Sequence, residues 1–294
     1  MFVDFFFCLS GFVLANRVRQ SSESRAVFAE FLSERFIRLA PVAITSILLM
    51  FVLNFDHDYA ISDLALALLL IQVLVKKAND INLPLWSTSA EFLVNALTPI
   101  LIRFFRFSYL LSLGIVFLLF STFSITSGDF GSNALARCMI GFSLGYFTNQ
   151  IRNCNKFLGL LGIMISLGMI LVFLHNPIQQ PWKLIFIDFF FCLFIHGISS
   201  LEKSLSVWNF SKVICKFLGM TSYAVYAFQI PFKVLFDSSM FSQFEFSTDQ
   251  WFIVLVASSR YILLLIFSFY LTKYFDIPIR GYLRSKVVKR NKNV

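Results

Sequence analysis

Ten apolar runs follow one another along the 294 residues, near 1–16, 36–55, 60–75, 84–102, 108–125, 134–149, 157–174, 184–200, 213–235 and 251–275. No water-soluble domain of this size has the polar surface to cover them, so lipid is the solvent they suit. Inside a bilayer every backbone N–H and C=O must be paired within the protein, which leaves helices or a closed barrel. Gly (12) and Pro (7) are too sparse for a turn-rich strand architecture, while 39 Phe suit lipid-facing and interhelical packing. The chain is therefore read as all-α, a polytopic transmembrane helical bundle. A crossing needs about 20 residues for a hydrocarbon core of ~30 Å. Several runs fall short, which implies tilted or tightly packed helices, and 60–75 is the shortest.

Basic residues set the orientation. Arg17, Arg19, Arg25, Arg35 and Arg38 flank the second run, and further basic connections carry Arg103 and Arg106, Arg152 and Lys156, and Lys203 and Lys212. The tail adds Lys286, Lys289, Arg290 and Lys292. These are placed in the cytoplasm. Connections poor in Lys and Arg alternate with them, at Asp56 and Asp58, at Asp129, at His175, and at Asp237, Glu245 and Asp249. The alternation holds only when 60–75 and 84–102 together contribute one crossing, so one of the two is expected to be re-entrant or interfacial. About nine crossings follow, with Met1 outside and Val294 inside. Met1 leads directly into Phe-rich sequence without the basic start of a signal peptide. One further helix upstream would return the N-terminus to the cytoplasm, and such a helix is expected.

Charges at the bilayer midplane cost about 2.5–3.5 kcal/mol each on insertion scales, so each calls for a partner or a task. In this orientation the outer halves hold Asp4, Glu91, Asp188, Arg137, Lys233 and Arg260, and the inner ends hold Arg35, Arg38 and Lys216. A mixed-charge outer cavity suits a polyol, and a basic inner vestibule suits phosphates through bidentate guanidinium contacts. Structural ion pairing outside and positive-inside anchoring within account for the same charges. The five cysteines form no CxxC pair and have no histidine at ligand spacing, so they read as small core residues, and no metal site is expected. No P-loop, glycine-rich dinucleotide turn or nucleic-acid module occurs. The net charge of +9 is accounted for by inner loops and tail, which favour an anionic leaflet. Asp4-Phe-Phe-Phe-Cys-Leu recurs as Asp188-Phe-Phe-Phe-Cys-Leu, an echo that 39 Phe can produce by chance.

Four blocks carry more than hydropathy. They are Val3-Asp4-Phe5-Phe6-Phe7-Cys8-Leu9-Ser10-Gly11-Phe12; Phe31-Leu32-Ser33-Glu34-Arg35-Phe36-Ile37-Arg38-Leu39-Ala40-Pro41; Leu83-Pro84-Leu85-Trp86-Ser87 with Glu91, Phe92 and Pro99; and Leu218-Gly219-Met220-Thr221-Ser222-Tyr223-Ala224-Val225-Tyr226. In this order they closely resemble the acyltransferase 3 family of integral membrane O-acyltransferases, although 108–210 matches only in hydropathy. The resemblance implies a single membrane domain over 1–294, ending in a basic cytoplasmic tail at 284–294. It implies transfer of an acyl group, usually acetyl from acetyl-CoA, to a hydroxyl of a cell-surface carbohydrate, with no bound cofactor. It also implies ten helices, the first bearing an Arg and a His, and that helix is not part of this sequence. Membrane lipids, acyl-CoA and a polysaccharide or lipid-linked sugar are the implied partners, nucleic acid is not, and the bacterial inner membrane is the implied location.

The chemistry explains why a histidine is wanted. A sugar hydroxyl attacking a thioester must lose its proton, and a side chain titrating near neutrality takes it best. His57 lies in an outer loop and His175 at an outer helix end, neither in a family block, and His196 sits deeper in its run. No base is assigned among them; the resemblance puts it on the expected upstream helix, supported by Asp4 and Glu91. Asp4 either orients that base or pairs with Arg137 or Arg260. Glu91 orders the Trp86–Ser87 segment, contacts the sugar, or pairs with Arg260. Arg35 and Arg38, at i and i+3 where acyl-CoA would arrive, fall on the family's R-x-x-R pattern and are assigned to the donor. Trp86, Ser87, Ser222, Tyr223, Tyr226 and Gln229 are assigned to a substrate channel. Gln229 stands where the family commonly has a histidine, and Ser222, Tyr226 and Gln229 share a helical face that serves equally as a hydrogen-bonding stripe between helices. A catalytically inactive, truncated member of the family, and a transporter of a lipid-linked or amphiphilic substrate, are the other readings.

Overall fold

The apolar runs fold as helices. A computed structural model describes residues 2–54, 59–75, 78, 80–104, 130–151, 156–175, 181–202, 209–237 and 250–292. The helices are α1 (Phe2–Glu23), α2 (Arg25–Leu53), α3 (Ile61–Leu68), α4 (Trp86–Phe104), α5 (Phe130–Gln150), α6 (Lys156–His175), α7 (Pro181–Glu202), α8 (Asn209–Asp237), α9 (Gln250–Leu271) and α10 (Ile277–Lys292). Short 3-10 turns stand at Gln72–Leu74 and Leu83–Leu85, and a π-helical turn at Thr272–Asp276 joins α9 to α10. No strand occurs among the described residues. Five stretches there are long and apolar enough to cross a membrane: Arg25–Leu53, Leu83–Arg103, Phe157–His175, Val213–Phe236 and Ser258–Val287. The protein is thus an all-helical, multi-pass membrane protein.

The run at 60–75 forms only α3, eight residues and about 12 Å long, followed by a turn. The run at 84–102 becomes the 19 residues of α4, so of this pair only α4 has crossing length. The run at 108–125 and His57 lie outside the described residues. α3 begins where the Asp63 carboxylate accepts the Ala60 N–H at 3.1 Å. It ends where Ile71 N–H reaches Leu66 C=O at 3.1 Å and Leu70 N–H reaches Ala67 C=O at 3.0 Å, the paired bonds of a Schellman motif. Leu70 occupies the left-handed position, with φ of 58°, where glycine is usual.

The chain divides into two compact units, Met1–Leu32 with Ala90–Val207, and Ser33–Ser89 with Trp208–Val294. In the first unit α1 lies along α5, backbone against backbone. A Cβ on Gly11 would collide with the Phe142 carbonyl, and one on Gly145 with the Cys8 carbonyl. Small residues permit this approach, and lipid offers no hydrophobic force to replace it. α7 completes the core through Ile187, Phe191, Cys192 and Ile195, packed around Cys8 with Phe5, Leu9 and Phe12. The sequence echo lies here: Phe5 meets Phe191 edge to face at 5.4 Å between centroids, and the Cys8 thiol points at the Asp188 carbonyl at 3.7 Å. The two Asp-Phe-Phe-Phe-Cys-Leu segments pack on each other.

In the second unit α8 and α9 are joined by aromatic rings, with Phe267 5.1 Å from Phe228 and 5.0 Å from Phe232. The 3-10 turns rest on polar anchors. Buried Asn82 donates its Nδ2 to Ser46 Oγ of α2 at 3.1 Å and to the Ala227 carbonyl of α8 at 3.3 Å. Ser89 Oγ of α4 accepts the Val73 N–H at 3.2 Å.

Candidate functional site

Parts of three of the four sequence blocks, Ser33–Pro41, Leu83–Ser87 and Leu218–Tyr226, meet within the second unit. Pro84 fixes the dihedral angles of the 3-10 turn at Leu83–Leu85, and this turn delivers Trp86 and Ser87 to the start of α4. Ser87 Oγ lies 2.8 Å from the Tyr226 hydroxyl of α8, and Tyr226 also donates to the Pro84 carbonyl in a short hydrogen bond. A phenol has one proton to give. The Ser87 hydroxyl reaches the same Pro84 carbonyl at 3.4 Å, so the two hydroxyls and that carbonyl form one hydrogen-bonded cluster. Ser87 is buried, while Trp86 and Tyr226 are half-buried beside it. One turn earlier on α8, the Tyr223 hydroxyl donates to the Leu39 carbonyl of α2 at 2.9 Å, which ties α8 to the residue next to Arg38.

The other channel residues are placed differently. Ser222 is exposed and donates back to Gly219 of its own helix at 3.3 Å, so it stays out of the Ser87–Tyr226 cluster. Gln229, one turn beyond Tyr226, is half-buried. Arg35 and Arg38 differ in setting despite their spacing, because Arg35 is 6 % exposed and Arg38 is open.

The first block lies in the first unit. Asp4, fully buried, receives Arg137 through two parallel bonds, from Nε at 3.1 Å and Nη2 at 3.0 Å. Of the partners open to Asp4, the structure selects Arg137 and so satisfies both carboxylate oxygens. Glu91 accepts the Ser10 hydroxyl at 2.6 Å, joining two family blocks across α1 and α4. His196 lines a half-open apolar groove of ≈ 210 Å³ with Leu144, Phe147, Cys192 and Leu193, apart from every family block. His175 is exposed at the end of α6.

Sequence reasoning passed over two groups. Asn82 and Ser46 are isolated polar residues inside or beside apolar runs, and only the cost of burying an unbonded amide marks them. Asp276, Arg280 and Arg284 recur at four-residue spacing, the signature of one helical face, within a tail otherwise read as anchoring charge. Asp276 is 1 % exposed and pairs with Arg280.

No curated protein and no solved structure matches the chain, but the sequence profile described as "Acyltransferase domain" matches residues 1–273. That match covers all four blocks and all of the spans except the end of the last, so the chain belongs to the acyltransferase 3 family of membrane acyltransferases.

Proposed function

We propose that the protein, seated in a bacterial inner membrane, moves an acyl group, acetyl in the simplest case, from acyl-CoA to a hydroxyl of a cell-surface or exported carbohydrate. The observation that carries this reading is the cluster of the Ser87 and Tyr226 hydroxyls on the Pro84 carbonyl, built from two family blocks with Ser87 and Tyr226 139 residues apart, with Arg38 next to the residue that Tyr223 anchors. In the reaction the acceptor oxygen bonds to the acyl carbon, the carbon–sulfur bond breaks, and the hydroxyl proton ends on the departing CoA thiol. Ser87 and Tyr226 are both protonated at neutral pH, so they orient the acceptor and do not deprotonate it. Trp86 offers a flat face to a sugar ring, and Arg35 and Arg38 supply charge for the donor's phosphates. The family supports acyl transfer; the site chemistry supports a polyol as acceptor.

Membrane vesicles holding the protein, given radiolabelled acetyl-CoA and an extracted envelope polysaccharide, test this. Label is expected in the carbohydrate, and Tyr226→Phe and the Arg35→Ala/Arg38→Ala double variant are each expected to cut its transfer at least tenfold while the protein stays inserted. Wild-type rates in both variants, or no label transferred by folded wild-type protein, would overturn the assignment.

A further inference from the structure

The π-helical turn at Thr272–Asp276 is the least regular feature of the last long helix, and a local change of helical pitch is often kept where a side chain must be aimed. Its final residue, Asp276, is 1 % exposed and accepts Arg280 through one oxygen, while the other, Oδ1, has no hydrogen-bond partner among the described residues. Arg280 is likewise only partly satisfied, with its buried Nε unbonded among those residues. Its charged neighbours are Arg38 of α2 and Arg284 one turn further along α10, and the Tyr223 phenol stands by. Tyr223 is also the group that ties α8 to Leu39, next to Arg38. Two further guanidinium groups thus stand near Arg280, the one that the Asp276 carboxylate holds. Like charges at four-residue spacing repel, and a residue serving only as an anchor to the cytoplasmic surface would swing outward. Arg280 is instead held back by a buried acid.

We propose that Arg38, Arg280 and Arg284 form a site for a phosphorylated anion, gripped by forked guanidinium contacts and occupied by the phosphates of the acyl-CoA donor or by the headgroup of an anionic phospholipid. The donor arm rests on the function proposed above; the phosphate chemistry does not. Arg280 and Arg284 are binding residues here, and Asp276 positions Arg280.

The full chain, purified into nanodiscs of neutral lipid, is titrated with coenzyme A, with dephospho-coenzyme A and with inorganic pyrophosphate; lipid preference is read separately from phosphatidylglycerol retained against phosphatidylcholine. Removing Arg280 alone would strand Asp276, so the variants are Asp276→Asn/Arg280→Gln, which keeps the pair neutral, and Arg284→Gln. Lys286→Gln is the control, since Lys286 sits over the Tyr282 ring at 4.7 Å, outside the cluster. Coenzyme A affinity is expected to fall at least tenfold in both variants and to stay within twofold in the control. Loss of phosphatidylglycerol retention with unchanged coenzyme A binding supports the site and assigns it to lipid. If the wild type holds pyrophosphate but no coenzyme A, the donor reading fails and the phosphate site stands. If all three anions and the lipid bind both folded variants as they bind the wild type, the site is overturned.

Discussion

At the residue scale, the Asp4–Arg137 pair decides what a buried carboxylate in an apolar helix is for. Both oxygens of Asp4 are taken by one guanidinium, and Asp4 is fully buried while Arg137 keeps 29 % of its side chain exposed, so losing the guanidinium costs more than losing the carboxylate. Arg137→Ala is expected to cost about 3–5 kcal/mol and Asp4→Ala less, whereas Asp4→Leu/Arg137→Met should recover most of the larger loss. Thermal unfolding of the purified variants in detergent checks both. A carboxylate that also orients a catalytic group would leave the double variant stable but inactive, and a purely structural pair would leave it active. Ser10→Ala at Glu91 should cost about 1.5–3 kcal/mol by the same measurement, the usual worth of a bond to a charged group. The sequence made these acids conspicuous, because carboxylates are rare in lipid. It did not choose between Arg137 and Arg260 for Asp4, since partners 133 residues apart are a tertiary fact. The same holds for Arg35 and Arg38: their spacing makes them helical neighbours, but what packs over Arg35 and leaves Arg38 open comes from elsewhere in the chain.

At the element scale, helices were legible and their details were not. Hydropathy marks only the part of a helix that sits among apolar neighbours, so the run at 1–16 extends as α1 to Glu23 through Arg17 and Arg19. The π-helical turn leaves no mark in Thr272-Lys273-Tyr274-Phe275-Asp276. Where backbones touch, the consequence of substitution is large. Gly145→Leu must push α1 off α5 and is expected to abolish a stable fold, whereas Gly168→Leu, with open space around it, should be tolerated. Fluorescence-detected size exclusion of the two variants separates these outcomes. Leu70 offers a finer balance. Its left-handed backbone costs about 1–2 kcal/mol, yet its side chain is fully buried, and emptying such a site typically costs about 2–5 kcal/mol. Leu70→Gly should therefore destabilise despite relaxing the turn, and a rise in melting temperature would show that strain dominates.

At the scale of the whole molecule, the alternation of basic and acidic connections predicts sidedness. A cysteine introduced at Asn291, in a chain freed of its own thiols, should react with an impermeant maleimide only in inverted vesicles, and one at Ser247 only in right-side-out vesicles. Labelling of both from one side would break the alternation. The helical, membrane-crossing character was legible because apolarity and run length are local quantities. The meeting of Ser87 with Tyr226 was not, because two blocks recognised separately say nothing of their distance in space. The segment from α3 to the Leu83–Leu85 turn has a consequence of its own. Among its described residues no helix is long enough to traverse the bilayer, so they add nothing to the tally of passages that fixes which face each later loop occupies. A change in its length therefore leaves the sidedness of every later loop as it was. What holds its sequence is burial, at Leu70 and at the Asn82 anchor, and not the need to span.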